Sequence, residues 1–224
     1  MTVDEASMDD GCTPRGEMAP CLVTRFLHGA AAVDPVALAA FLYRSTRRST
    51  DYGWANLARH AADWDGRTRL IAGFVAPASR VVEFGCGRRV LETALPDDCV
   101  YIPSDIVARG PDTWVCDLNR RPLPAIPPEV DVAVFSGVLE YVFDLAIVLD
   151  WLSVSNVTTI IASYGCVRPA GLSRLFDTVN RLRFGWVTSY SEKELLRVFE
   201  GAGYDVDRCG HWRDQFIGRF VKTD

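Results

Sequence analysis

The 224 residues predict an α/β fold in which a mostly parallel sheet lies between helical layers. Three observations carry that reading. Five short, nearly continuous apolar runs recur between residues 80 and 163, the pattern of central strands covered on both faces. Stretches of helical periodicity separate several of them. Two further runs, 204–212 and 215–221, are close enough to pair as an antiparallel hairpin. With 49% hydrophobic and 24% charged residues, the chain has an ordinary globular composition, which excludes wholesale disorder.

Each element has a local reason. Residues 1–20 set five acidic side chains against Arg15 without periodicity, and are expected to form a flexible acidic tail. The rest, 21–224, is expected to be one domain, with N-terminal helices over 21–79 and the sheet core over 80–224. Asp34-Pro35 begins the first helix, an aspartate cap followed by proline at the first helical position, and the apolar run from Val36 carries it to about Arg48. A second helical stretch covers Trp54 to about Val75, with a break expected at Asp65-Gly66; Pro77 ends it. Strands are expected over 80–84, 99–103, 113–117, 131–136 and 157–163. Helices are expected over 88–95, 138–152 and 191–202, the last stopped by Gly203. Residues 106–112 and the proline-rich 122–128 are too short for helical crossovers, so bare loops are expected there. Residues 164–190 form an insertion whose helix has an apolar stripe of Leu172, Leu175, Phe176, Val179 and Leu182. Arg174 and Arg181 fall on another face of that helix, expected to be solvated.

Charge narrows the partners. The net charge is −5, nearly all of it in the first 20 residues. A nucleic-acid binder needs a basic excess for phosphate contacts, so the expected partner is a small molecule and not a nucleic acid. No apolar run reaches the ~18 residues of a membrane span, and residues 1–20 lack the basic start and apolar core of a secretory signal. A cytoplasmic protein without a membrane partner is therefore expected; a homodimer stays open. Two lysines against 22 arginines suggest GC-rich coding and a bacterial source. None of the seven cysteines forms a C-x-x-C pair, so no metal site is expected. Reduced, mostly buried thiols are expected instead.

The most informative stretch is Val81-Val82-Glu83-Phe84-Gly85-Cys86-Gly87-Arg88-Arg89-Val90. A strand ends, two glycines turn the chain, and a helix is expected to follow. Glycine lets backbone approach a ligand closely, and a helix start offers unpaired N–H groups. A dinucleotide loop would need a third glycine at position 90, where valine stands. Glu83, a carboxylate at a buried strand end, would repel a pyrophosphate but attract a ligand carrying an ammonium.

These residues resemble the first motif of class I S-adenosylmethionine (SAM)-dependent methyltransferases: an apolar strand, an acid, an apolar residue, then G-x-G-x-G, here Glu83-Phe84-Gly85-Cys86-Gly87. Arg89 stands where the family's third glycine usually is, which is expected to narrow the space near the methionyl tail. Three later stretches are similar at the family's spacing: Tyr101–Ile106, Trp114–Asn119 and Asp131–Val142. The resemblance runs from about Arg80 to Val221. It implies a Rossmann-like three-layer sandwich with a seven-stranded, mostly parallel sheet, an antiparallel C-terminal hairpin and SAM as cofactor. It also implies a cofactor site of Glu83, Gly85, Cys86, Gly87, Asp105, Ile106, Asp117, Leu118 and Ser136. In that site Asp105 accepts from the ribose hydroxyls, and Asp117 with the next backbone N–H meets the adenine.

Methyl transfer needs alignment and exclusion of water, and a hydroxyl acceptor adds a need for a base. Tyr141, beginning the segment beside the methyl donor, and His60, on a polar helix face with Asn56 and Asp63, are the candidate catalytic residues. His211 is expected at a hairpin turn remote from the strand C-termini. Tyr52, Trp54, Tyr164, Arg168 and Tyr190 are the candidate acceptor-binding residues, since specificity is expected in the parts added to the core. The implied activity is transfer of a methyl group to oxygen or nitrogen of a small molecule in a bacterial natural-product or sugar pathway. Two alternatives stand beside it: a SAM-binding partner protein without turnover, and a nucleotide-dependent oxidoreductase or epimerase.

Overall fold

The computed structural model describes residues 8–9, 57, 62–167, 177, 181 and 185–223. The expected helix 34–48 and the candidate residues Tyr52, Trp54, His60 and Arg168 lie outside the described residues. The strands are β1 (Met8–Asp9), β2 (Arg80–Phe84), β3 (Val100–Asp105), β4 (Trp114–Val115), β5 (Val132–Phe135), β6 (Thr159–Tyr164), β7 (Tyr204–Trp212) and β8 (Gln215–Lys222). They form one sheet in the order β1-β7-β8-β6-β5-β2-β3-β4. The five strands β2 to β6 are parallel, while β8 runs antiparallel to both β6 and β7. This is the expected parallel sheet with its terminal hairpin. The two residues of β1 add an edge strand against Cys209 and Gly210.

The period of two along each strand sorts the core into two layers. Val82, Phe84, Ala133, Phe135, Ile160 and Ala162 meet α2 (Leu145–Ser153) and α3 (Glu192–Gly201). The intervening Val81, Val132, Val134 and Ile161 meet Ile71 of α1 (Asp65–Ala72) with Phe74, Val75 and Leu91. Helix α2 buries Leu145, Val148, Leu149 and Leu152, each contributing about 1.5–3 kcal/mol when withdrawn from water. Helix α3 begins in a capping box: Ser191 Oγ accepts from the Glu194 backbone N–H, and the Glu194 carboxylate accepts from Ser191 N at 2.8 Å. The 3-10 turn Ala62–Trp64 leads directly into α1 at Asp65, with Trp64 itself right-handed helical, so the break expected at Asp65-Gly66 is absent. The crossovers at 106–113 and 116–131 contain no helix.

Three further expectations are corrected. Residues 88–95 form successive turns and not a helix, because Arg89 has φ 57°, a left-handed conformation that interrupts the right-handed path. The helix expected over 138–152 is split into a 3-10 turn, Leu139–Tyr141, and α2. The chain becomes extended between them at Val142, with φ −89° and ψ 117°. The β7–β8 turn is not remote from the strand C-termini: Tyr164 pairs with Phe216, so the turn at Arg213-Asp214 stands at the C-terminal end of β6. β7 runs in the same direction as the parallel strands, and β8 returns. His211 itself is exposed, with Nε2 3.6 Å from Glu192. No helix among the described residues is long and apolar enough to cross a membrane.

Candidate functional site

Side chains and loops at the C-terminal ends of the parallel strands enclose a cavity of about 380 Å³. The glycine loop forms one wall. Gly85 has φ 71°, and a Cβ there would stand 2.5 Å from Val138 Cγ2, so only glycine fits the turn. The loop is anchored to β3 twice: Cys86 N donates to the Ser104 carbonyl at 2.9 Å, and Gly87 N donates to Asp105 Oδ2 at 3.0 Å. Glu83, Gly85, Cys86, Gly87, Asp105, Ile106, Asp117, Leu118 and Ser136 all line this one cavity, as does Tyr141.

The three acids at the ends of β2 and β3 and beyond β4 occupy different electrostatic settings. Glu83 is 2% exposed, and the Tyr101 hydroxyl donates to its Oε2 at 2.5 Å. Burial, reinforced by the nearby Asp105 charge, pushes the Glu83 carboxyl up to about 8. Asp105 is also buried, but compensated: besides Gly87 N it accepts from Arg109 Nε at 3.0 Å and from Val107 N at 3.3 Å. The carboxylate implied for the ribose thus already holds a buried guanidinium. Asp117 Oδ1 caps its own loop by accepting from Asn119 N at 2.9 Å. Asn119 then reaches across the cavity's rim: its Nδ2 donates to the Tyr141 carbonyl and its Oδ1 accepts from Phe143 N, both at 2.8 Å. The third acid's loop and the Tyr141 segment are therefore held together.

Other candidates fall elsewhere. Tyr164 is fully buried behind the cavity, where its hydroxyl pairs with Thr188 Oγ1 at 3.0 Å and accepts from Tyr190 N at 3.1 Å. Neither Tyr164 nor Tyr190 lines the cavity. Arg89 does not narrow it: the side chain turns toward Asp112, and Arg88 and Val90 line the cavity in its stead. Arg181 is buried, not solvated. Its guanidinium donates to the Gly165 carbonyl and stands 4.8 Å from the Trp186 ring centroid.

Two cavity residues carry no signal that the sequence reading used. Arg67 of α1 is 7% exposed. It donates to Ser136 Oγ at 3.2 Å, to the Ser136 carbonyl at 3.2 Å and to Gln215 Oε1 at 2.9 Å. Its guanidinium stands 5.9 and 5.8 Å from the rings of Trp64 and Trp212, and burial pulls its pKa down. A Cβ at Gly137 would come within 2.5 Å of Arg67 Nη2, so glycine at that turn is what admits the guanidinium. As one arginine among 22, Arg67 had no distinguishing pattern. Glu140 had one, a carboxylate set between Leu139 and Tyr141-Val142 in an apolar run.

No protein-family model matches the chain, and no curated protein matches it in sequence. Solved structures do match in fold. The 1,6-didemethyltoxoflavin-N1-methyltransferase of Burkholderia thailandensis, bound to 1,6-didemethyltoxoflavin and S-adenosylhomocysteine, superposes with a TM-score of 0.55 at 14% identity over 88% of this chain and 94% of that one. An O-methyltransferase family 2 protein of Planctomyces limnophilus, in complex with apigenin, gives 0.56 at 14% identity over 87% and 63%. The mitomycin 7-O-methyltransferase MmcR gives 0.52 at 15% identity over 85% and 69%. The chain has the fold of the class I SAM-dependent methyltransferases.

Proposed function

We propose that this chain is a SAM-dependent methyltransferase acting on oxygen or nitrogen of a small-molecule acceptor. The observation that carries the reading is convergence: the glycine loop and the acids Glu83, Asp105 and Asp117 all face one cavity of about 380 Å³, a volume in the range of small-molecule sites. Its donor set fits the cofactor. A buried carboxyl, Glu83, and a buried guanidinium, Arg67, line the same cavity and suit the ammonium and carboxylate of an amino-acid end. Asp105 would hold the ribose, and Asp117 with Leu118 the adenine. When bound, SAM supplies a methyl group on a positively charged sulfur. The chain's own part is to orient that methyl, to exclude water with Tyr141, Phe143 and Trp186 around the cavity, and to position the acceptor.

The likeness in fold to proteins solved with 1,6-didemethyltoxoflavin and with apigenin supports a small-molecule acceptor. We place the protein in the bacterial cytoplasm, in natural-product or sugar metabolism. His60 remains a proposed catalytic residue beside Tyr141, which lines the cavity, and Tyr52, Trp54 and Arg168 remain proposed acceptor-binding residues.

Calorimetry with S-adenosylhomocysteine and with NADH, followed by mass spectrometry of a host extract incubated with protein and SAM, tests the reading. Binding of the first ligand alone and a mass gain of one methyl group on an extract component are expected. NADH binding in its place would mean an oxidoreductase or epimerase. S-Adenosylhomocysteine binding without any methyl gain would mean a partner protein without turnover.

A further inference from the structure

One buried acid on the cavity has an oxygen without a hydrogen-bond partner among the described residues. Glu140, in the turn Leu139–Tyr141, is 1% exposed and lines the cavity. Its Oε1 accepts from the Gly165 backbone N–H at 2.8 Å. Its Oε2 is buried and has no hydrogen-bond partner among the described residues. A buried polar atom left unsatisfied forfeits the hydrogen bonds it would make to water, so a fold that keeps one beside a cavity is completed by a donor that comes from outside.

The surroundings specify that donor. A carboxylate only accepts, so the incoming group must carry an O–H or N–H. The Glu140 carbonyl accepts from Val187 N at 2.7 Å, and Trp186 Nε1 donates to the Tyr141 hydroxyl at 3.0 Å. The Trp186 ring lies over Gly165, where a Cβ would be 2.9 Å from the ring and 3.7 Å from Glu140 Oε1. The carboxyl therefore shares its wall with two aromatic side chains that line the same cavity, and flat rings pack best against such surfaces. Burial is the dominant influence on the carboxyl and raises its proton affinity, while the Gly165 N–H, Arg67 from α1 and Arg181 from the insertion act the other way.

Resting on the methyltransferase reading, we propose that Glu140 Oε2 takes the proton from a phenolic hydroxyl on an aromatic acceptor, with Tyr141 and Trp186 holding the ring. The acceptor's O–H bond breaks, and its proton passes to Oε2. The electron pair left on oxygen forms the bond to the methyl carbon, and the carbon–sulfur bond breaks with its pair on sulfur. Glu140 returns the proton to solvent as product leaves.

The probe is p-nitrophenol, whose phenolate absorbs at longer wavelength than the neutral phenol, titrated into protein saturated with S-adenosylhomocysteine at a pH below the probe's own pKa. Wild-type protein is expected to bind the probe and show the phenolate band. Glu140→Gln, which keeps an acceptor for the Gly165 N–H, is expected to bind S-adenosylhomocysteine normally, to bind the probe at least tenfold more weakly and to leave it neutral. Glu140→Asp, which keeps a carboxyl, is expected to restore part of the band, and it serves alone if the glutamine variant does not fold. Wild-type protein that fails to bind S-adenosylhomocysteine overturns the methyltransferase reading and this inference with it. Normal S-adenosylhomocysteine binding with no probe binding, no phenolate band, or a band unchanged in both variants overturns this inference alone.

Discussion

The guanidinium of Arg89 grips the carboxylate of Asp112 through two hydrogen bonds, Nη1 to Oδ2 at 2.8 Å and Nη2 to Oδ1 at 2.5 Å, while its own backbone stands at φ 57°. A non-glycine residue thus occupies a glycine conformation and is held there by a side chain pointing out of the cavity. That side chain bridges to the loop before β4.

Arg89 variants should separate these two effects. The left-handed backbone costs a side-chain-bearing residue about 1–2 kcal/mol, whereas a solvent-screened surface ion pair contributes little. Arg89→Gly is therefore expected to be as stable as wild type or slightly more so, and Arg89→Ala less stable than Arg89→Gly by about 1 kcal/mol, in urea melts. Affinity for S-adenosylhomocysteine should stay within a factor of ten in both, measured by calorimetry.

Arg67 is expected to read the carboxylate of the bound amino-acid end. A hydrogen bond to a charged group contributes about 1.5–3 kcal/mol, so Arg67→Met should lose at least tenfold in affinity for S-adenosylhomocysteine. Methylthioadenosine, which lacks that carboxylate, should bind both proteins alike. Equal losses for the two ligands would assign Arg67 to the fold and not to the ligand.

Glu83 should make stability fall as pH rises. Its carboxyl is raised from 4.5 to about 8 in the folded chain, so the folded state binds the extra proton between those values. The stabilisation is complete below about 4.5 and is lost as pH passes through about 8. Unfolding free energies across that window should decline in wild type and stay flatter in Glu83→Gln; parallel curves would place the titration elsewhere.

Asp105 is expected to serve both fold and ligand. Its pair with Arg109 is almost fully buried, with side chains 4% and 6% exposed, and removing one member of such a pair costs about 3–5 kcal/mol. Asp105→Ala should unfold at markedly lower urea and bind S-adenosylhomocysteine more weakly. Adding Arg109→Leu should recover stability without recovering affinity.

The parallel strands, the terminal hairpin and the Glu83, Asp105 and Asp117 positions were readable because they rest on short-range signals: unbroken apolar strands, and acids at a fixed distance from their ends. Helix boundaries failed where one residue's backbone overrode periodicity. Arg89 looks helix-compatible by type, and only its φ breaks the run after the glycine loop. Arg67 was not readable as a site residue because its role comes from burial across the fold, whereas Glu140 offered the signal of a carboxylate within an apolar run. Ser136 and Gln215, the side-chain partners of Arg67, lie 69 and 148 residues away. The end of the sheet at which the β7–β8 turn stands was not readable for the same reason: Tyr164 opposite Phe216 is a long-range pairing that no local pattern specifies.

The bare crossovers on either side of β4 have a dynamic consequence. That strand has two residues, sits at the sheet edge and, among the described residues, pairs only with β3, whereas β5 and β6 are buried along their lengths. Opening free energy follows such differences in packing, so amide hydrogens over 106–120 should exchange many times faster than those of β5 and β6. This is the stretch that carries Asp117 and Asn119, and Asn119 ties it to the Tyr141 segment. A nucleoside filling the cavity should slow its exchange most, so the strand-poor flank is where the protein would breathe to admit a ligand and tighten once it is seated.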